Sequence, residues 1–168
     1  MKKIMLLSAI ALIGTTVLAQ QDKSKRASPP AKVSETTAKG VTITIDYSQP
    51  AVNKRAIGKD IAPYGQVWRT GANEATVFEV SKDAQVEGKA LPAGKYTLYS
   101  IPGAEEWTWI INKKQSWGTQ YDESQDVMRV KVKPGKAPQF TERMTFSINK
   151  SGTVTLLWGN EKVDLHVI

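Results

Sequence analysis

Residues 41–47 read VTITIDY. Val41, Ile43, Ile45 and Tyr47 fall on one side of an extended chain, and Thr42, Thr44 and Asp46 on the other. Successive side chains of a strand point to opposite faces, so this alternation predicts a half-buried strand. The same period returns in TVFEV (76–80), KYTLYSI (95–101), WTWIIN (107–112), VMRVKV (127–132), ERMTFSI (142–148), TVTLLW (153–158) and KVDLHVI (162–168). Turn signals separate these runs: Gln49-Pro50, Glu87-Gly88-Lys89, Pro92-Ala93-Gly94, Pro102-Gly103, Pro134-Gly135, Ser151-Gly152 and Gly159-Asn160. Short strands so punctuated predict an all-β domain, an antiparallel β-sandwich or flattened barrel of about 8–10 strands with little helix. Residues 51–62 are expected to hold a short helix or irregular loop, and 120–126 a single turn.

The chain opens differently. Residues 1–19, MKKIMLLSAIALIGTTVLA, place two lysines before an apolar run that ends at Val17-Leu18-Ala19. This is the pattern of a secretory signal peptide, too short and wrongly flanked for a membrane span. The expectation is therefore an exported protein, periplasmic or secreted. With no cysteine, it has neither disulfides, nor a lipidated cysteine, nor a thiolate metal site. Residues 20–40 carry five basic and two acidic residues but few large apolar ones. They read as a flexible basic leader that joins the fold at its end. Residues 41–168 form the single domain.

The net charge of +7 suggests nucleic acid at first sight. The first 19 residues hold two of those charges and the leader three, leaving +2 for 41–168. No basic stripe remains in the body to track a phosphate backbone, so nucleic acid is not expected as a partner.

Several segments together resemble a known family: SPPAKVSET (28–36), ITIDYSQPAV (43–52), APYGQVWRTGANEATVFEVSKD (62–83), VEGKALPAGKYTLYSIPG (86–103) and DVMRVKVKP (126–134). These resemble the exported bacterial family called domain of unknown function 2911. The likeness covers nearly all of the chain after the leader, and PYGQVWRTGANEAT is its most specific block. The resemblance implies an exported all-β domain and assigns no activity.

That block concentrates the chemistry. Tyr64, Trp68, Arg69, Asn73 and Glu74 fall within thirteen positions punctuated by the turn residues Gly65 and Gly71. As a site, Tyr64 and Trp68 would stack on a ligand, Arg69 would fork onto a carboxylate or phosphate, and Asn73 and Glu74 would orient hydroxyls. As structure, Gly71-Ala72-Asn73 would make a tight turn with positive φ, and Arg69 would pair with Glu74 across it. Trp68 would then be a core aromatic. Trp117, beside Gly118 in a loop, is a further candidate contact, whereas Trp107 and Trp109 share a strand face with Ile111 and are expected in the core.

Other chemistries find less support. His166 is the only histidine and lies on the polar face of the last run, two residues from Asp164. A histidine metal site needs two or three such ligands. Glycoside hydrolysis needs two carboxyl groups across a cleft, and Glu74 with Asp122 or Asp126 would supply them. DESQD at 122–126 lacks the spacing of a calcium loop. The leading expectation is a binding or interaction module for a small polar ligand, glycan or protein, with no catalytic residue, metal or cofactor assigned. The alternatives are a carboxylate-dependent hydrolase using Glu74 and a purely structural envelope protein.

Overall fold

The computed structural model describes residues 22–115 and 119–168. The expected signal peptide, 1–19, lies outside the described residues. Ten strands follow in chain order: β1 (Pro30–Thr36), β2 (Thr42–Ser48), β3 (Val77–Val80), β4 (Ala84–Val86), β5 (Lys89–Leu91), β6 (Gly94–Ile101), β7 (Trp107–Asn112), β8 (Asp126–Val132), β9 (Gly135–Ile148) and β10 (Thr153–His166). Six of them form one sheet in the order β1-β2-β3-β6-β7-β8, while β9 and β10 pair as a second sheet and β4–β5 as a small hairpin. Every pairing is antiparallel. The six-stranded sheet ends at β1 and β8, so the architecture is a β-sandwich and not a closed barrel. No helix among the described residues is long and apolar enough to cross a membrane.

The alternation in 41–47 does what its period predicts. Ile43, Ile45 and Tyr47 are buried, and Asp46 is exposed. They meet Met144 and Phe146 of β9 and Val154, Leu156 and Trp158 of β10 in one core. Burying this apolar surface is the main stabilising term, and without disulfides packing holds the two sheets together. One hydroxyl also stitches them: the Phe146 amide donates to the Tyr47 hydroxyl at 3.0 Å.

β6 and β7 depart from simple alternation. Tyr99 and Ile110 are buried although they face away from the core side of their strands. The connection between β7 and β8 covers that outer face: Thr97 Oγ1 donates to the Lys114 carbonyl at 2.7 Å, and Asn112 Nδ2 to the Asp122 carbonyl at 2.8 Å. A strand covered on both faces reads as a continuous apolar run. Trp107, Trp109 and Ile111 occupy the core as expected.

The sheet starts earlier than composition suggests. Pro30–Thr36, assigned above to the leader, is β1 and pairs with β2 along its whole length. None of its residues is fully buried, and Lys32 and Glu35 stand on it, which suits the open edge of a sheet. Residues 51–62 contain no helix and form an irregular loop with Asn53, Lys54 and Ala62 at positive φ. Residues Glu123–Gln125 make one 3₁₀ turn, capped by Asp122.

Candidate functional site

Beyond Val77, the edge of β6 is taken over by Trp68. Its amide donates to the Ser100 carbonyl at 2.7 Å and its carbonyl accepts from the Ser100 amide at 2.9 Å. The chain leaves the sheet after Trp68 and returns at Thr76, whose carbonyl accepts from the Leu98 amide at 2.8 Å. Two buried threonines close the loop. Thr76 Oγ1 donates to the Thr70 carbonyl at 2.8 Å, and Thr70 Oγ1 to Ser100 Oγ at 2.9 Å. Thr70 and Asn73 take the positive φ values expected of Gly71 and Asn73. Gly71 is needed for space instead: a Cβ there would lie 2.8 Å from Thr76 Oγ1 and 3.3 Å from the Ser48 carbonyl.

Trp68 is half-buried. It stacks on Trp158 at 5.2 Å with 10° between ring planes, and Trp107 meets it edge-on at 6.3 Å. With Val67, Arg69, Tyr99, Thr119 and Tyr121, it lines a cleft of about 290 Å³. Arg69 Nη1 donates to the Asn73 carbonyl at 3.2 Å, and no carboxylate pairs with its guanidinium among the described residues. On the cleft's far wall, the Tyr121 hydroxyl donates to Asp126 Oδ2 at 2.7 Å and accepts from Arg129 Nη2 at 2.6 Å. Burial, and then the Asp126 hydrogen bond, push the Tyr121 phenol up to about 12. It therefore stays neutral at physiological pH.

The expected Arg69–Glu74 pair does not form. Glu74 turns the other way, and Arg26 Nη1 donates to both of its carboxylate oxygens at 2.9 Å, with Lys23 Nζ 3.2 Å from one of them. The Arg26 hydrogen bond is the largest cause that holds the Glu74 carboxyl down at about 2. Asn73 works on the same side, its Nδ2 donating to the Ser28 carbonyl at 3.0 Å. Both residues thus fasten the segment before β1 to the loop. The physical reason is reach: Arg26 arrives through the β1–β2 pairing, which no local spacing around Glu74 reveals.

The block is therefore divided by the fold. Trp68 and Arg69 share a cleft; Asn73 and Glu74 serve the N-terminal segment; Tyr64 is exposed elsewhere, its ring against Gly58. Trp117 lies outside the described residues. Tyr99 and Tyr121 enter the cleft from β6 and from the β7–β8 connection, and their edge-on contact at 4.9 Å is a tertiary fact without a local signature.

The other acidic residues singled out in the sequence are committed locally. Asp126 accepts from Asn112, Tyr121 and Arg129, and Asp122 caps its 3₁₀ turn through Ser124. His166 Nδ1 sits 2.9 Å from Glu87 Oε1, whereas Asp164 accepts from Thr155 Oγ1 at 2.6 Å and pairs with Lys162. The described lining of the Trp68 cleft holds a guanidinium, two phenols and a hydroxyl, with neither carboxylate nor imidazole. Such a set suits recognition of an anionic or hydroxyl-bearing group through charge-assisted hydrogen bonds.

A family model described as a protein of unknown function (DUF2911) matches residues 28–167. No curated protein and no solved structure matches the chain.

Proposed function

The chain belongs to the DUF2911 family, and from that premise we propose that it is an exported binding module whose ligand sits in the cleft beside Trp68 and Arg69. The observation that carries this reading is the Arg69 guanidinium. It makes one hydrogen bond to a loop carbonyl and has no acidic partner among the described residues, yet it borders an aromatic-lined cleft. A cation left without a counter-ion beside Trp68, Tyr99 and Tyr121 fits a small polar ligand that brings its own carboxylate. The volume of about 290 Å³ lies at the lower end for small-molecule sites and suits one sugar unit or one acidic side chain. Residues 1–19 support export through their signal-like pattern.

The hydrolase reading loses its main residue. A carboxylate held near 2 by Arg26 and Lys23 is no proton donor at neutral pH, and its lone pairs are already engaged. The clasp at Glu74 favours a structural role for that half of the block.

Titration with glucuronate and with glucose, followed by tryptophan fluorescence, tests the proposal. Wild type is expected to prefer glucuronate, and Arg69→Ala to lose that preference by tenfold or more. Equal binding by wild type and Arg69→Ala, or no response to glucuronate or to an acidic peptide titrated in the same way, would overturn it.

A further inference from the structure

We propose a second binding site, for an alkylammonium group, in the cleft where β9 bulges away from β10 beside the 52–57 loop. It is separate from the Trp68 cleft and shares no lining residue with it.

The β9–β10 register creates the space. Gly159 faces Thr141 and Glu161 faces Lys136, so Asn160 alone on β10 spans what residues 137–140 span on β9. Pro138 within that stretch has no N–H to give the ladder. Bulges of this kind re-aim side chains and recur next to sites. Here the stretch ends at Phe140, which is 55% exposed, the largest value among the exposed large hydrophobics. Val52, Ile57, Phe140, Arg55, Asn160 and Glu161 surround a cleft of about 200 Å³.

Glu161 supplies the chemistry. Its side chain is half-buried and accepts no hydrogen bond and joins no ion pair among the described residues. None of the nearby cations forms an ion pair with Glu161 among the described residues, including Arg55, which lines the same cleft. Arg55 donates to the Val52 and Ala51 carbonyls at 3.2 and 2.8 Å, Lys162 pairs with Asp164, and Lys136 opposite Glu161 in register makes no ion pair with it. Burial alone pushes the Glu161 carboxyl up, which agrees with a group lacking a counter-ion. Tyr64 is close enough to feel the charge, since Glu161 adds to the upward shift that burial imposes on its phenol.

An unmatched carboxylate walled by Val52, Ile57 and an exposed Phe140 ring is complementary to a cation on an apolar stem. The ammonium would pair with Glu161, the stem would lie on the aliphatic wall, and the Phe140 face would add a cation–π contact. At about 200 Å³ the cleft is smaller than ordinary metabolite sites and fits a head group or side chain. A free amine and a lysine side chain present the same chemistry.

The test uses the full chain and amide chemical-shift titration with cadaverine, N-acetyl-lysine methylamide and, as a neutral control, n-pentanol. Both ammonium probes are expected to shift amides in 137–140 and 159–161, and pentanol is expected not to. Glu161→Gln should weaken binding tenfold or more and Phe140→Ala severalfold, with Arg69→Ala unchanged. Phe140 is exposed, so its variant keeps the test valid if Glu161→Gln fails to fold. Binding of cadaverine alone would assign free amines as the source, and binding of both would extend the site to lysine side chains. Undiminished binding by Glu161→Gln, or no response to either ammonium, would overturn the proposal.

Discussion

Arg26 grips Glu74 through one nitrogen, Nη1, which lies 2.9 Å from both carboxylate oxygens across 48 positions of chain. The pair is a clasp on the surface and not a buried ion pair, since the side chains of Arg26 and Glu74 are 27% and 37% exposed. Glu74→Gln is therefore expected to cost about 1 kcal/mol at pH 7, the full linkage being discounted for solvent screening. A carboxyl whose folded value lies below its unfolded one stabilises the fold above the unfolded value and loses that contribution as pH falls through the folded one. The wild-type advantage should thus shrink from about pH 4.5 towards pH 2. Urea unfolding of both proteins across that range checks it, and a gap that persists at pH 2 would mean the charge is not responsible.

Trp68 and Arg69 are neighbours in sequence with opposite duties. Trp68→Ala removes a ring stacked on Trp158 and met by Trp107, and should cost about 2–4 kcal/mol. Arg69→Ala removes one hydrogen bond to a carbonyl and should cost about 1 kcal/mol or less. Thermal and urea denaturation of the two variants gives the comparison. A cost for Arg69→Ala as large as that for Trp68→Ala would withdraw the guanidinium from any ligand.

Tyr47→Phe deletes only the hydroxyl that accepts from the Phe146 amide. The ring still packs edge-on against Phe146, at 5.0 Å and 90°. The amide is left buried and unpaired, so a loss of about 1–3 kcal/mol is expected. Hydrogen exchange at Phe146 should accelerate more than at Leu156 opposite it. Equal rates at both positions would mean that the hydroxyl does not hold the sheets together.

Gly152 sits in the β9–β10 turn with φ +87°, and a Cβ there would run into the Val167 carbonyl oxygen. That carbonyl is backbone and cannot swing aside, while the Gly152 carbonyl is itself bonded to the Val167 amide at 2.9 Å. Gly152→Ala should destabilise by about 2–4 kcal/mol, combining positive-φ strain with overcrowding. A melting temperature close to wild type would show that the turn has room to reorganise.

What was legible in the chain follows from the range of the forces involved. Alternation is local, so VTITIDY and ERMTFSI announce their strands and their buried faces directly. PAKVSET hides its strand because an edge buries little and tolerates Lys32 and Glu35. The AQV and KAL strands, at three residues each, are too short to show a period. Within the candidate site, Arg69 and Trp68 are visible as residue types, but Glu74 finds its cation in Arg26 and the cleft finds its far wall in Tyr121. Such partners are set by strand order, which spacing along the chain does not encode. Glu161 drew no attention for the same reason: what distinguishes it is the partner it lacks.

The strand order also says something about time. β6, β7 and β8 are neighbours in both chain and sheet, whereas β2 and β3 are hydrogen-bonded neighbours separated by residues 49–76, which hold only isolated bridges. Joining β2 to β3 means closing that long connection before its ladder can form, and non-local closure is what slows β-rich folding. The meander of β6 to β8 should assemble first and the β2–β3 seam late. Trp68 and Arg69 lie on that long connection, yet the cleft they border is built against β6 and the β7–β8 connection, so its walls come from the meander and not from the β2–β3 seam.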